Sequence, residues 1–218
     1  MLYAALTRRR SGSVPAPAGG MGSCSMNEGS ATTSAVILLA DGFEEMEAVI
    51  LADTLRRGKW RVALAGVTGM SLTGSRGVRV LAEVPWRGTN HEEFDVMILP
   101  GGREGTTRLA SEESVLEALR ERASANKWIA AVCAAPLVLK AAGVLNGRRF
   151  TSHPSVKDEI SLPGWENRRV VADGHLVTSQ GPGTCFELAL ELLRLLNGRA
   201  AAEDAARGLI LPSTLAGG

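Results

Sequence analysis

The sequence predicts an α/β fold, a mostly parallel sheet with helices on both faces. From Ser34 onward, short apolar runs alternate with longer amphipathic stretches, the order of repeated strand–helix units. The runs, such as "AVILLA" (35–40) and "DVMILP" (95–100), are almost continuously apolar. Strands buried on both faces read this way, whereas a half-exposed strand alternates. Gly58, Gly143 and Gly198 directly follow helical stretches, where a helix end favours glycine.

Taken in order, the strands are "AVILLA" (35–40), "WRVALAG" (60–66), "VRVLAEV" (78–84), "DVMILP" (95–100), "WIAAV" (128–132) and "RRFTS" (148–152). A final pair lies in "RRVVADGHLVTS", where Asp173-Gly174 signals a hairpin turn. Helices are expected over Glu44–Arg57, Glu112–Ser124, Ala135–Ala142, Ser155–Ile160 and Gly183–Asn197. The first has Glu44 and Glu45 in its opening turn, favourable to the helix dipole. Pro136 falls in the first turn of the third, where its missing N–H costs nothing.

A chain of 218 residues that is 45% hydrophobic is long enough for one domain with a substantial core. Its 24 basic and 23 acidic residues nearly cancel, so there is no global field to attract nucleic acid or an anionic membrane. No apolar run reaches the roughly 18 residues of a membrane span. Three cysteines, Cys24, Cys133 and Cys185, without a C-x-x-C spacing, suit a reducing compartment with free thiols and offer no zinc knuckle.

Residues 1–34 stand apart. Met1 to Asn27 contains no Asp or Glu, places Arg8, Arg9 and Arg10 after "MLYAAL", and then turns to "SGSVPAPAGG". A disordered tail and an organelle transit peptide both fit this composition, with Met21 and Met26 as alternative starts. The α/β domain is expected over residues 35–212, with 213–218 a flexible end. The location expected is cytoplasmic, unless the N-terminal segment directs the chain to a mitochondrion or plastid.

In such folds ligands bind beyond the carboxyl ends of the strands, which places the chemistry in "ADGFEEME", "LPGGREG" and "AVCAAP". Cys133 stands where a buried strand meets a helix, as in a nucleophile elbow, with alanines in place of the usual glycines. A helix N-terminus there would lower the thiol pKa from about 8.5 toward neutrality. The plain alternative is a small core residue. Gly101-Gly102 would let backbone N–H groups turn toward a ligand. Glu47 shares a helical line with Ile50 and Leu51, and burial would keep it protonated as a donor to a thiolate. Glu44 and Glu45 are assigned only to the helix dipole. Of three histidines, His91 and His175 read as solvated, while His153 in "FTSHPS" stands at a strand end on the side of the site. Cys185 reads as packed in its helix.

"AVILLADGFEEMEAV", "DVMILPGG", "AAVCAAP", "TSHP" and the "TSQGPGT" and "FELAL" that flank Cys185 together resemble the ThiJ/PfpI superfamily, and within it the DJ-one branch, that of the parkinsonism-linked protein deglycase. The resemblance runs from about Ala35 to Pro212. It implies a flavodoxin-like sandwich and a homodimer, with Cys133 as nucleophile, Glu47 as the acid bonded to it, His153 as the histidine, and Gly102 and Ala134 as backbone amides around the thiol. Gly101, Asp53 and Arg76 correspond to positions supporting the site or the interface. Ala134 stands where the peptidase branch has a histidine, which disfavours proteolysis. The G-x-C-x-G of glutamine amidotransferases is absent, and Gln180 stands where animal members carry arginine.

The function expected is a glyoxalase or deglycase that needs no cofactor and no metal. It would convert methylglyoxal or glyoxal, and early glycation adducts, to 2-hydroxy acids through a hemithioacetal on Cys133, with a protective role in oxidative stress. The alternative is a redox sensor or redox-regulated chaperone acting through oxidation of Cys133. The partners expected are a small 2-oxoaldehyde substrate and a second copy of the chain.

Overall fold

The computed structural model describes residues 32–216, so the tail or transit-peptide reading of the N-terminal segment, and Cys24, lie outside the described residues. The chain enters through β1 (Ser34–Leu39), α1 (Glu45–Arg57) and β2 (Arg61–Gly66). A short ribbon follows, β3 (Ser71–Thr73) with β4 (Arg79–Leu81), and then β5 (Val84–Pro85) and β6 (Val96–Leu99). Next come α2 (Arg103–Ser111), α3 (Glu113–Ser124), β7 (Trp128–Val132), α4 (Pro136–Ala141) and α5 (Lys157–Ile160). The hairpin β8 (Val170–Asp173) and β9 (Leu176–Ser179) precedes α6 (Cys185–Asn197), α7 (Arg199–Gly208) and α8 (Ser213–Ala216).

Seven strands form one sheet in the order β5-β2-β1-β6-β7-β9-β8. All neighbours are parallel except β8, which pairs antiparallel with β9. This is the expected α/β sandwich. Successive strand residues pack into two separate cores. Ile37, Leu39, Ile98 and Val132 meet Leu51 and Leu55 of α1 and Leu188 and Leu192 of α6. Val36, Leu38, Met97 and Leu99 meet Leu109, Leu119 and Val138 on the other face. With the edge strands β5 and β8 set aside, strand order reverses between β1 and β6, so the loops leaving them diverge and open a crevice at the carboxyl ends. No helix of the described residues is long and apolar enough to cross a membrane.

Four expectations are corrected. "VRVLAEV" is two strands, because β4 leaves the main sheet to pair with β3 while β5 joins β2. "RRFTS" forms no strand; Phe150 makes a single bridge to Trp165, so His153 follows a loop rather than a strand. The last hairpin turns through Gly174-His175, since Asp173 already pairs with Leu176 and Gly174 has a φ of 59°. His91, expected in solvent, has a side chain only 17% exposed, set between Glu121 and the ring of Trp86.

Arg122 of α3 is 1% exposed and ties the entrance of β6 to that of β7. Its guanidinium donates to the carbonyls of His91, Phe94, Asp95 and Trp128 at 2.6–3.3 Å. Burial lowers its pKa to about 10, opposed by Asp95 and Glu92, so it remains a cation at neutral pH. Arg122→Met should cost on the order of 3 kcal/mol in denaturant unfolding, because the buried carbonyls lose their donors. A loss below about 1 kcal/mol would contradict that accounting.

Candidate active site

The site is assembled from the turns after β1, β6 and β7. After β1 the chain runs through Asp41, whose carboxylate accepts the backbone N–H of Thr73 at 2.8 Å and the hydroxyl of Thr68 at 2.9 Å. These bonds hold the β3–β4 ribbon over the crevice. Glu45 reinforces them. It is 5% exposed, and its carboxylate accepts the N–H groups of Arg76 and Val78 and the Ser75 hydroxyl. Burial works to raise its pKa, but its own N–H and those of Arg76 and Val78 outweigh burial and hold it below the usual carboxylate value. Glu45 stands in the first turn of α1 as expected, and it also ties the ribbon to that helix. Its partners come from a ribbon about thirty residues away in sequence, which local spacing does not reveal.

After β6, Gly101 and Gly102 pass close to the first turn. Gly101 accepts the N–H of Glu44 at 2.9 Å. Gly102 has a φ of 88°, and a Cβ there would fall 2.2 Å from the Gly42 carbonyl. Glycine is thus required at Gly102 by both conformation and space.

Cys133 follows β7 directly, with a φ of 61°, a left-handed conformation that non-glycine residues adopt at a cost of about 1–2 kcal/mol. Both of its backbone groups are held. Its N–H donates to Ser179 at 3.0 Å, and its carbonyl accepts the N–H of His153 at 2.8 Å. The turn presents the sulfur to Glu47 and to the N–H groups of Gly102 and Ala134.

Glu47 of α1 is fully buried. Its Oε2 accepts the Gly101 N–H at 2.6 Å. Oε1 is buried without a well-formed partner, and the Cys133 thiol is the polar group beside the carboxyl. Burial raises the carboxyl pKa to about 7, against the Gly101 N–H and the thiol, which favour the carboxylate. Burial also pushes the Cys133 thiol up to about 12, and the charge of Glu47 adds to the effect, opposed by the N–H groups of Ala134 and Gly102. The expected lowering of the thiol is therefore corrected: α4 has only six residues, and burial beside a carboxylate outweighs two amides. The two groups titrate as a pair. Burial holds its second proton far more tightly than its first. Once the first has left, the pair holds one negative charge, and a proton moving from sulfur to Glu47 creates a thiolate without changing the net charge.

Cys133, Ala134, Gly102, Arg76 and His153 line one cavity of about 520 Å³, together with Glu44, Ser75, Arg103, Ser155, Val156 and Glu159. Gly101 and Glu47 lie beneath it. Asp53 is not brought there; it pairs with Arg57 on an exposed turn of α1 at 2.9 Å. Gln180 bonds Asn167 at 3.0 Å and does not line the cavity. No hydrogen bond joins the His153 ring to the thiol. Instead its Nδ1 is engaged by Ser155. Arg103 reaches across to Glu159 at 2.6 Å. Neither Ser155 nor the Arg103–Glu159 pair is signalled by sequence spacing. Cys185 is fully buried near the Gly181 carbonyl, and burial raises its pKa.

This arrangement has close relatives. Protein dj-1beta of Drosophila melanogaster is 39% identical over 181 residues, which is 82% of this chain and 97% of that protein. The crystal structure of Drosophila melanogaster DJ-1beta superposes with a TM-score of 0.80 at 38% identity, covering 83% of this chain and 99% of that one. A protein of Pyrococcus abyssi named as a deglycase is 35% identical over 163 residues, 74% of this chain and 98% of its own length. The model of the DJ-1/PfpI family matches residues 33–195, a span that contains every element from β1 through β9 and all three turns that meet at Cys133. With the motifs, the sheet order and these relatives in agreement, the chain belongs to the DJ-1/PfpI family.

Proposed function

We propose that the protein is a glyoxalase or deglycase acting on 2-oxoaldehydes, methylglyoxal or glyoxal, through Cys133. The observation that supports this most is the buried Glu47–Cys133 pair opening on a cavity that also holds His153. The deglycase name of the Pyrococcus abyssi relative agrees with it. Glu47 takes the thiol proton, and the sulfur adds to the aldehyde carbon, forming a carbon–sulfur bond while the carbonyl electron pair becomes an alkoxide. The N–H groups of Gly102 and Ala134 are the nearest backbone donors to the sulfur. The hydrogen on the first carbon then leaves as a proton and is returned to the second carbon, with Glu47, once it has passed the thiol proton to the alkoxide, the group able to handle it. The resulting thioester is cleaved by water, releasing the 2-hydroxy acid and restoring the thiol. One carbon is oxidised and its neighbour reduced, so no external oxidant or reductant enters the balance.

The proposal extends to a homodimer. Met46 and Val49 of α1 are 57% and 52% exposed, and Val78 and Leu81 of the adjoining ribbon 54% and 72%. Glu45, next to Met46, accepts the N–H groups of Arg76 and Val78, which sets this end of the ribbon against α1 as a face suited to a second copy of the chain.

The test is stoichiometric. Purified protein in thiol-free buffer should release one lactate for each methylglyoxal consumed. Deglycation that continues unchanged after a scavenger has removed all free methylglyoxal would contradict action on the free aldehyde.

A further inference from the structure

His153 caps the 3-10 turn Pro154–Val156, and the cap determines which ring nitrogen holds the proton. The backbone N–H of Ser155 donates to His153 Nδ1 at 3.2 Å. The Ser155 hydroxyl lies 2.7 Å from the same nitrogen. An imidazole nitrogen that accepts a hydrogen bond in the ring plane has no hydrogen of its own there. In the neutral ring the proton is therefore on Nε2. The His153 backbone is anchored to the catalytic turn through the Cys133 carbonyl at 2.8 Å, and Ser155, His153 and Cys133 line one cavity.

We propose that Ser155 is a positioning residue that holds neutral His153 as an Nε2–H donor, so that His153 binds and polarises the oxygen of a carbonyl substrate rather than removing a proton from its carbon. The proposal rests on the 2-oxoaldehyde reading and assigns the histidine its part in it. A donor at Nε2 stabilises the oxygen on which negative charge gathers as the carbon–sulfur bond forms, and no proton need leave the ring. A base at Nε2 requires the opposite tautomer. Its Nδ1 hydrogen would then face the Ser155 N–H, and only the hydroxyl could accept it. Reversing the role thus sacrifices a backbone hydrogen bond, which is the physical basis of the preference.

The ring can be read directly by labelling the histidines, three in the chain, with ¹⁵N in mildly alkaline buffer, His153 being identified by its loss in His153→Gln. The expected spectrum shows a protonated Nε2 and a bare Nδ1. Ser155→Ala keeps the backbone N–H and removes the only acceptor for an Nδ1 hydrogen, so the proton should stay on Nε2, while the ring loses one of its two anchors and kcat for methylglyoxal should fall about two- to tenfold with a smaller change in KM. Ser155→Thr should restore kcat. A protonated Nδ1 in the wild-type protein or in Ser155→Ala, or a Ser155→Ala variant with wild-type kcat, would overturn the proposal. Absence of lactate in every protein would strike the glyoxalase reading alone, since the ring spectrum still decides the tautomer.

Discussion

Glu47→Gln should stabilise the protein above neutral pH while removing most of its turnover. The sign follows from the carboxyl pKa, raised from 4.5 to about 7 by burial. An unfolded Glu47 loses its proton near 4.5, and the folded one retains it to about 7. Within that window the folded state binds more protons, so wild-type stability falls as pH rises and levels off above it. The shift corresponds to about 3 kcal/mol of burial cost at high pH, which an uncharged amide of the same shape does not incur. Glutamine can still accept from the Gly101 N–H and donate toward the sulfur, so the geometry should survive. Unfolding curves of the two proteins should therefore coincide more closely at pH 4.5 than at pH 8, the gap opening between them. Glutamine cannot accept the thiol proton, so kcat should fall about a hundredfold. Loss of the adjacent charge should also ease ionisation of Cys133, so iodoacetamide should label it faster at pH 8. Parallel stability profiles, or wild-type turnover, would show that Glu47 is not the buried proton acceptor.

Gly101→Ala should damage both stability and site by a purely steric route. A Cβ at Gly101 would lie 2.7 Å from Cys133 Cβ, 3.0 Å from Ala134 N and 3.0 Å from Glu47 Oε2. It would wedge between the acid and the thiol it serves. One of these neighbours belongs to a backbone already fixed by two hydrogen bonds at Cys133, so relaxation should be incomplete and the cost about 2 kcal/mol. Turnover should fall far more than stability, because the pair is separated. Gly183→Ala is the control, since a Cβ there meets nothing within 4 Å. Equal effects of the two substitutions, read by thermal unfolding and lactate formation, would contradict the wedge.

The sheet was legible because its central strands are buried on both faces. Val36–Leu39, Val96–Leu99 and Ile129–Val132 are all at most 2% exposed, and continuous apolar runs are how such strands appear in sequence. Helix α1 was legible from the acids of its first turn and from Gly58 at its end, and Cys133 from its position between a buried strand and Pro136. Helices without an apolar stripe escaped. The inward face of α2 is Gly105, Thr106 and Leu109, and that of α7 is Ala202, Ala205 and Ala206. Small residues pack closely without raising hydrophobicity. "RRFTS" misled because β-prone residues at Phe150–Ser152 are buried as a strand would be, yet find only one bridging partner.

Within the site, Glu47, Cys133 and Gly101-Gly102 were visible because each obeys a local rule of helix face or strand end. The protonation of the pair was not. Burial emerges only when α1, β6 and β7 pack, and it reverses the sign expected for the thiol. The same holds for the partners of Glu45 and for Ser155, whose hydroxyl is exposed and matters only through the ring it touches.

The central claim is that Cys133 forms the covalent adduct from which the 2-hydroxy acid is released. It is tested most directly by lactate formation from methylglyoxal in thiol-free buffer by the wild-type protein, Cys133→Ala and Cys185→Ala, prepared identically. The account predicts turnover in the wild type, comparable turnover in Cys185→Ala, whose thiol is fully buried, and none in Cys133→Ala. Turnover that survives in Cys133→Ala, or is absent from all three, would contradict it.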